Sequence, residues 1–270
     1  MQDLARATRI PPGSSVDLAE HKTDARLGLG NETAARARTA KRGERMAELA
    51  TMLHANHARS LLVVLQGMDA AGKDGAVKHC LSPLNPMSVR IAGFKAPTST
   101  ELAHDFLWRV HQVVPEHGEI GIFNRSHYED VLVVRVEELV PKAVWKRRYG
   151  AINAFEEQLA NEGTTVVKLY LHISRDEQAK RFRARMADRT KNWKFNADDL
   201  AKRAKWHEYM AAYEAAIAKT STKSAPWHVV PADHKWVRDA VITEIVTQAL
   251  EGLDLRWPEL APELRALTIE

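Results

Sequence analysis

A single cysteine, Cys80, stands among 270 residues, so no internal disulfide can form and a disulfide-built secreted scaffold is excluded. The longest unbroken aliphatic run, Leu61 to Leu65, falls far short of the about 20 apolar residues that a membrane helix needs. The opening residues, MQDLARATRI, place no apolar segment behind a basic one, so no secretory signal is expected and the reducing cytoplasm is the expected location. Neither sign of charge dominates: 39 basic against 35 acidic residues leave a net +4, which suits an anionic partner without separating phosphate chains from nucleic acid. Internal repeats and low-complexity tracts are missing too. His79, His104, His127 and His172 show no H-E-x-x-H or Cys/His spacing, so no zinc site is expected.

What is present is the composition of one sizeable folded domain, 45% apolar and 27% charged, with seven Trp, six Phe and five Tyr to fill a core. Residues 1–30 are broken by Pro11-Pro12-Gly13 and Gly28-Leu29-Gly30 and read as an irregular arm. Asn31 to His57 then reads as a helix, Asn31 its N-cap and Gly43 a weak interruption, with Arg38, Lys41, Arg42 and Arg45 on a solvated face. Short apolar runs at Ser60–Gln66, Val89–Ala92, Glu119–Phe123, Val166–Ile173 and Trp227–Val230 alternate with helical stretches. Those stretches lie at Thr98–Val113, Glu129–Leu139, Lys142–Asn161, Arg175–Arg189, Ala197–Thr220 and Lys235–Leu250. Such alternation predicts an α/β fold with a mostly parallel sheet and helices on both faces, the domain spanning 31–255 and a tail covering 256–270.

Gly67-Met68-Asp69-Ala70-Ala71-Gly72-Lys73-Asp74-Gly75 follows the first of these strands and opens a helix, which matches the G-x-x-x-x-G-K of a P-loop. Gly67, Gly72 and Gly75 let the backbone wrap phosphate oxygens, the amides about Ala70 and Ala71 point at the anion, and Lys73 neutralises transferring charge. Asp74 stands where Ser or Thr ordinarily offers Mg²⁺ a hydroxyl, so the metal must find other oxygens. Asp69 is the first candidate, because a carboxylate among phosphate-binding amides calls for an intervening cation; a loop-capping Asx turn is the other reading.

Phe123-Asn124-Arg125-Ser126-His127-Tyr128-Glu129-Asp130 closes another strand at the end of the sheet where open α/β folds bind ligands. Arg125 can fork two phosphate oxygens, and Asp130 or Glu129 can complete a metal shell. Favourable first-turn acids at a helix start explain Glu129 and Asp130 equally well, though not Arg125. A third cluster, Lys180 to Lys194, holds seven basic residues and one acidic one. It includes Arg181 and Arg185 one helical turn apart, then Lys191 and Lys194, and reads as an anion-gripping lid over about 176–200 or as a solvated basic face. Arg90 and Lys95 complete the cations expected on the phosphate side.

Together these three motifs, with Phe94-Lys95-Ala96-Pro97-Thr98 and Ala225-Pro226-Trp227, resemble the family-2 polyphosphate kinases from about residue 31 to 255. The resemblance implies a P-loop kinase fold with a helical lid, akin to thymidylate kinase, and transfer of the terminal phosphoryl group of inorganic polyphosphate to a nucleotide. It further implies adenine or guanine nucleotides as acceptors, Mg²⁺ or Mn²⁺ as cofactor and a homo-oligomer. Asn124 and Glu129 look like the subgroup that accepts both AMP and ADP. Arg189 stands where the family often has proline, so a differently shaped lid turn is expected. On this reading Lys73 and the loop amides grip the donor, Asp69 and Asp130 hold the metal, and Arg125, Arg181 and Arg185 embrace the transferring group. An ATP-dependent nucleoside-monophosphate kinase would share fold, loop and lid. A nucleic-acid-binding P-loop module is the non-enzymatic alternative, against which stands the absence of any helix-turn-helix or RNA-recognition signature.

Overall fold

The computed structural model describes residues 3–265 together with Leu267 and Ile269. In chain order the first elements are α1 (Leu4–Thr8), β1 (Arg9–Ile10), α2 (Glu32–Asn56), β2 (Ser60–Gln66), α3 (Lys73–Cys80) and β3 (Val89–Gly93). They are followed by α4 (Ser99–Leu102), α5 (Trp108–His111), β4 (Ile120–Asn124), α6 (Val133–Val136), α7 (Lys142–Asn161) and β5 (Thr164–His172). Last come α8 (Arg175–Ala187), α9 (Ala197–Ala204), α10 (Trp206–Thr220), β6 (Trp227–Pro231), α11 (Lys235–Glu251) and α12 (Pro262–Arg265).

One six-stranded sheet in the order β1-β6-β5-β2-β4-β3 carries them. Its five longer strands are parallel, as the uninterrupted apolar runs predict. β2 is buried at every position, which requires cover on both faces. Two helical groups supply it: α2, α3 and α11 pack together, and α6, α7 and α10 pack together. Each Val or Leu of β2 withdrawn from water contributes roughly 1.5–3 kcal/mol. All five parallel strands point their carboxyl ends the same way, so the turns after β2, β4 and β5 meet at one rim.

The structure departs from the sequence reading in five places, one of them the division of Ala197–Thr220 into α9 and α10. The arm is not wholly irregular: Leu4 is fully buried, and Arg9–Ile10 pairs antiparallel with β6 as an edge strand, although positions 1 and 2 lie outside the described residues. A two-residue strand leaves no periodicity to read. Thr98–Val113 breaks into α4 and α5, where the Asp105 side chain accepts from the Leu107 amide and offers the backbone a turn instead of a helix. Glu129–Leu139 becomes a 3₁₀ turn over His127–Val131 followed by α6, in a stretch crowded with β-branched valines that disfavour helix. The basic face of α2 is docked in part: Arg38 and Arg42 pair with the buried Glu244 of α11 at 3.0 and 3.3 Å, while Lys41 and Arg45 stay exposed as expected. The rest holds closely, including the Asn31 cap, whose Oδ1 accepts from the Ala34 amide. Of the tail, positions 266, 268 and 270 lie outside the described residues.

A buried polar network fixes the turn that follows β4. Lys168 of β5, fully enclosed, donates from Nζ to Glu156 Oε2 of α7 (2.5 Å), to Tyr128 Oη (3.0 Å) and to the Thr220 carbonyl (2.6 Å). Tyr128 donates in turn to Glu156 Oε1 at 2.8 Å. The ammonium therefore has a partner on every proton and the carboxylate has three donors, His127 Nε2 being the third at 3.2 Å, which is what makes two charges tolerable in a dry interior. Glu156→Gln leaves Lys168 without its counter-charge and is expected to lower unfolding free energy by about 3–5 kcal/mol. Denaturant midpoints measure this directly, and a loss below about 1 kcal/mol would show that the pair is not the anchor of this layer.

Candidate active site

The turn after β2 is forced by its residues. Gly67 and Gly72 have φ of 153° and 106°, values that L side chains rarely adopt, and Ala70 takes φ 63° between them. Arg125, directly after β4, shares this left-handed conformation at φ 64°, so the two motifs meet through strained backbone. Neighbouring registers bring them side by side: Leu65 pairs with Asn124, and the Arg125 amide donates to the Leu65 carbonyl at 3.1 Å.

A cleft opens where they meet, lined by Asp69, Arg125, Glu129, Lys202, Tyr209 and Tyr213. Arg125 lies between two carboxylates, with Nη2 2.8 Å from Asp69 Oδ1 and Nη1 3.6 Å from Glu129 Oε2. Lys202 Nζ approaches Asp69 Oδ2 at 3.6 Å. Burial alone would raise the Asp69 carboxyl, but Lys73, Arg125 and Lys202 outweigh it and hold the group below the ordinary aspartate range. Lys73 is enclosed, and its Nζ turns back onto the Gly67 and Met68 carbonyls at 2.5 and 3.2 Å. Burial, reinforced by Arg125, depresses its ammonium to about 8.

Asp74, the departure from the P-loop pattern, is a latch between three elements. Its Oδ1 accepts from Asn124 Nδ2 and its Oδ2 from Lys194 Nζ, both at 2.9 Å. The Lys194 hydrogen bond is the chief reason its carboxyl lies below the usual range. Lys194 thereby brings the tip of the basic segment over the loop. Arg185 sits behind that tip, 3.5 Å from Asp199 Oδ2, and Lys191 bonds Asp188. At Arg189, where the family often has proline, Asp188 Oδ1 caps the turn by accepting from the Thr190 amide at 2.9 Å.

Three expected site residues lie elsewhere. Arg90 occupies the amino-terminal half of β3 and faces Glu116 and Glu119 at 3.8 and 3.9 Å, at the opposite end of the sheet from the P-loop. Two nearby acids and a place at the start of the strand, far from the rim, explain the difference; Lys95, just beyond the carboxyl end of the same strand, is exposed on the expected side. Asp130 is drawn off by Arg148 of α7, whose Nη1 lies 2.7 Å from Oδ1, and it is not part of the cleft lining. Burial pushes its carboxyl up to about 6 in spite of that guanidinium. Arg181 spends its guanidinium on backbone carbonyls of the P-loop and of the turn after β6 and points at no open space.

Lys202, Tyr209 and Tyr213 escaped the sequence reading. They lie in what read as one helix, Ala197–Thr220, and the two tyrosines one turn apart have the spacing of core residues. The break at Lys205 between α9 and α10 lets Lys202 reach the cleft. Among the described residues no group of three or more His, Cys, Asp or Glu side chains is placed to hold a metal ion. Asp69 nevertheless fits Mg²⁺, which commonly takes one or two carboxylates and completes its shell with substrate phosphates and water.

Known proteins share this arrangement. A family model described as Polyphosphate kinase 2 matches residues 30–257. A Meiothermus ruber protein named AMP/ADP-polyphosphate phosphotransferase is 46% identical over 263 residues, 97% of this chain and 98% of that one. An ADP-polyphosphate phosphotransferase of Rhodopseudomonas palustris is 44% identical over 234 residues, 82% of this chain and 81% of its own. The crystal structure of Polyphosphate Kinase 2 from Arthrobacter aurescens TC1 superposes with a TM-score of 0.93 at 44% identity, covering 98% of this chain and 96% of that one. Similarity of this depth covers nearly the whole chain, and by it the chain belongs to the polyphosphate kinase 2 family.

Proposed function

We propose that this protein transfers a phosphoryl group from inorganic polyphosphate to ADP and AMP. The observation that carries the reading is the cleft between loop and lid. There Arg125 and Lys202 line the cleft with Asp69 and Glu129, Lys73 bonds the Gly67 and Met68 carbonyls of its wall, and Lys194 pairs with Asp74 of the adjoining helix, in a chain similar over 97% of its length to an AMP/ADP-polyphosphate phosphotransferase. The acceptor oxygen belongs to a phosphate already ionised near neutral pH, so no strong general base is needed and the protein's task is alignment and neutralisation. Loop amides and Lys73 hold the donor end, Arg125 sits between donor and acceptor, and Glu129 orients the acceptor. Lys202 and the tyrosines Tyr209 and Tyr213 wall its side of the cleft. A divalent ion, Mg²⁺ or Mn²⁺, when bound, supplies neutralisation of phosphate oxygens, with Asp69 as its protein ligand. We include guanine nucleotides among the acceptors, a homo-oligomeric assembly and a cytoplasmic location in the same reading; no helix of the described residues is long and apolar enough to cross a membrane.

The decisive assay supplies ADP, polyphosphate and Mg²⁺ with ATP omitted. ATP formation that depends on polyphosphate is expected; ATP formed equally well without polyphosphate would point instead to a nucleotide donor.

Asp69→Asn keeps shape but removes the anionic ligand, so the Mg²⁺ concentration for half-maximal rate should rise several-fold, whereas Asp130→Asn, held away by Arg148, should leave it unchanged. The opposite pattern in metal titrations would return the ligand role to Asp130.

Lys73 carries its charge below its depressed value of about 8 and loses it above. Accordingly kcat/KM for polyphosphate, which reports the free enzyme, should fall as pH rises through about 8. Lys73→Arg should abolish that limb, and a limb that survives it belongs to another group. Lys73→Ala should cost on the order of 10²-fold or more in rate while the fold persists.

A further inference from the structure

Every carbonyl from Gly67 to Gly72 accepts a side-chain hydrogen bond. Lys73 takes those of Gly67 and Met68. Gln178 Nε2 donates to the Asp69 carbonyl at 2.8 Å. Arg181 Nη1 donates to those of Ala70 and Ala71 at 3.0 and 2.9 Å, and Arg238 Nη1 to that of Gly72 at 3.2 Å. Three of these four side chains come from outside the loop, two from the first half of α8 and one from α11.

Their own orientations are fixed in turn. Gln178, 1% exposed, accepts through Oε1 from Arg203 Nη1 at 2.9 Å, which leaves its amide nitrogen free only to donate to the loop. Arg181 Nε is held by Glu177 Oε1 at 2.9 Å, and its Nη2 bridges to the Ala232 and Asp233 carbonyls. Arg238, 2% exposed, is held at Nε and Nη2 by Asp239 Oδ1 at 2.8 and 2.6 Å. Gly72 is shaped around it, since a Cβ there would lie 2.2 Å from Arg238 Nη1.

A trans peptide is planar, so the carbonyl of one residue and the amide of the next point to opposite sides. Tying down six successive carbonyls therefore turns the following amides toward the mouth; the Ala71 amide alone is spent within the turn, on the Met68 carbonyl at 3.0 Å. We infer that Gln178, Arg181 and Arg238 are positioning residues for the polyphosphate donor, which set the direction of the phosphate-binding amides without touching the substrate. This rests on the proposed function and deepens it. Donor affinity would be governed from behind the loop, by residues that share no motif with it.

The test measures KM for inorganic tripolyphosphate and for ADP separately, in the parent and in Gln178→Met, Arg238→Lys and Arg238→Met, alongside thermal midpoints. Calorimetry of tripolyphosphate binding without nucleotide accompanies the kinetics. Arg238→Met should raise the tripolyphosphate KM and weaken its binding by about tenfold, the size of one charge-assisted hydrogen bond, and Gln178→Met by about fivefold, the size of a neutral one, with the ADP KM unchanged. Arg238→Lys should recover part of the loss. A structural role alone would lower the thermal midpoint and the active fraction with both KM values unmoved, and that result overturns the inference, as does a parallel rise in both. Failure of the parent to bind tripolyphosphate would overturn the proposed function itself, an outcome seen before any variant is compared.

Discussion

Repulsion among like charges is the constraint around which this site is built. Lys73, Arg125, Lys194 and Lys202 are gathered about the loop and its cleft, and the ammonium of Lys73 is depressed by burial first and by Arg125 next. Carboxylates in an anion-binding site are otherwise puzzling. Asp69, Glu129 and Asp74 resolve the puzzle by offsetting the cations, each paired with at least one of them. A polyanion entering the cleft displaces these internal partners instead of meeting bare charge, which keeps the site folded when empty and attractive when the substrate arrives.

Behind this mouth the sheet supplies rigidity of a different sort. Lys168 and Glu156 sit at the centre of a dry network that grips Tyr128, one residue before Glu129 and three after Arg125. Arg125 holds an unfavourable backbone conformation, and such strain persists only where the surroundings over-determine it. A buried ion pair adds little net stability by itself. Here it fixes one turn in one place, where a cluster of apolar side chains would tolerate several arrangements.

Much of this was legible in the residues. Short apolar runs announced each parallel strand to within a residue or two; β2, buried on both faces, has no polar side to show, while β3 carries Arg90 at a half-exposed edge. Glycine spacing announced the loop, since few other residues accept its backbone. What stayed hidden depends on long-range partners. Asp130 reads as a metal ligand until Arg148, eighteen positions away, is seen to claim it. Arg181 reads as one of a row of lid cations, but carbonyls from two separate turns surround it. Arg238 lies in a helix of mixed apolar and charged residues, next to Asp239, and belongs to none of the motifs. Hydrophobic periodicity encodes which face is buried, not which polar atom waits there.

The attachment of α8 to the loop limits how this enzyme can open. Gln178 and Arg181 fasten its first turns to the P-loop and to the turn after β6, so the helix cannot swing as one piece from its base without dismantling the cradle. Any pivot must fall beyond Arg181, toward the Asp188 turn, where the remaining ties are the half-exposed Lys194–Asp74 pair and the contacts of Arg185. Exposed pairs of that kind are weak and are screened by salt over roughly 8–10 Å. On the proposed reading of this segment as a lid, the moving part is a short flap on a fixed stem. Substrate exchange would then break mainly surface contacts, and the proposed donor cradle would pass undisturbed from one turnover to the next.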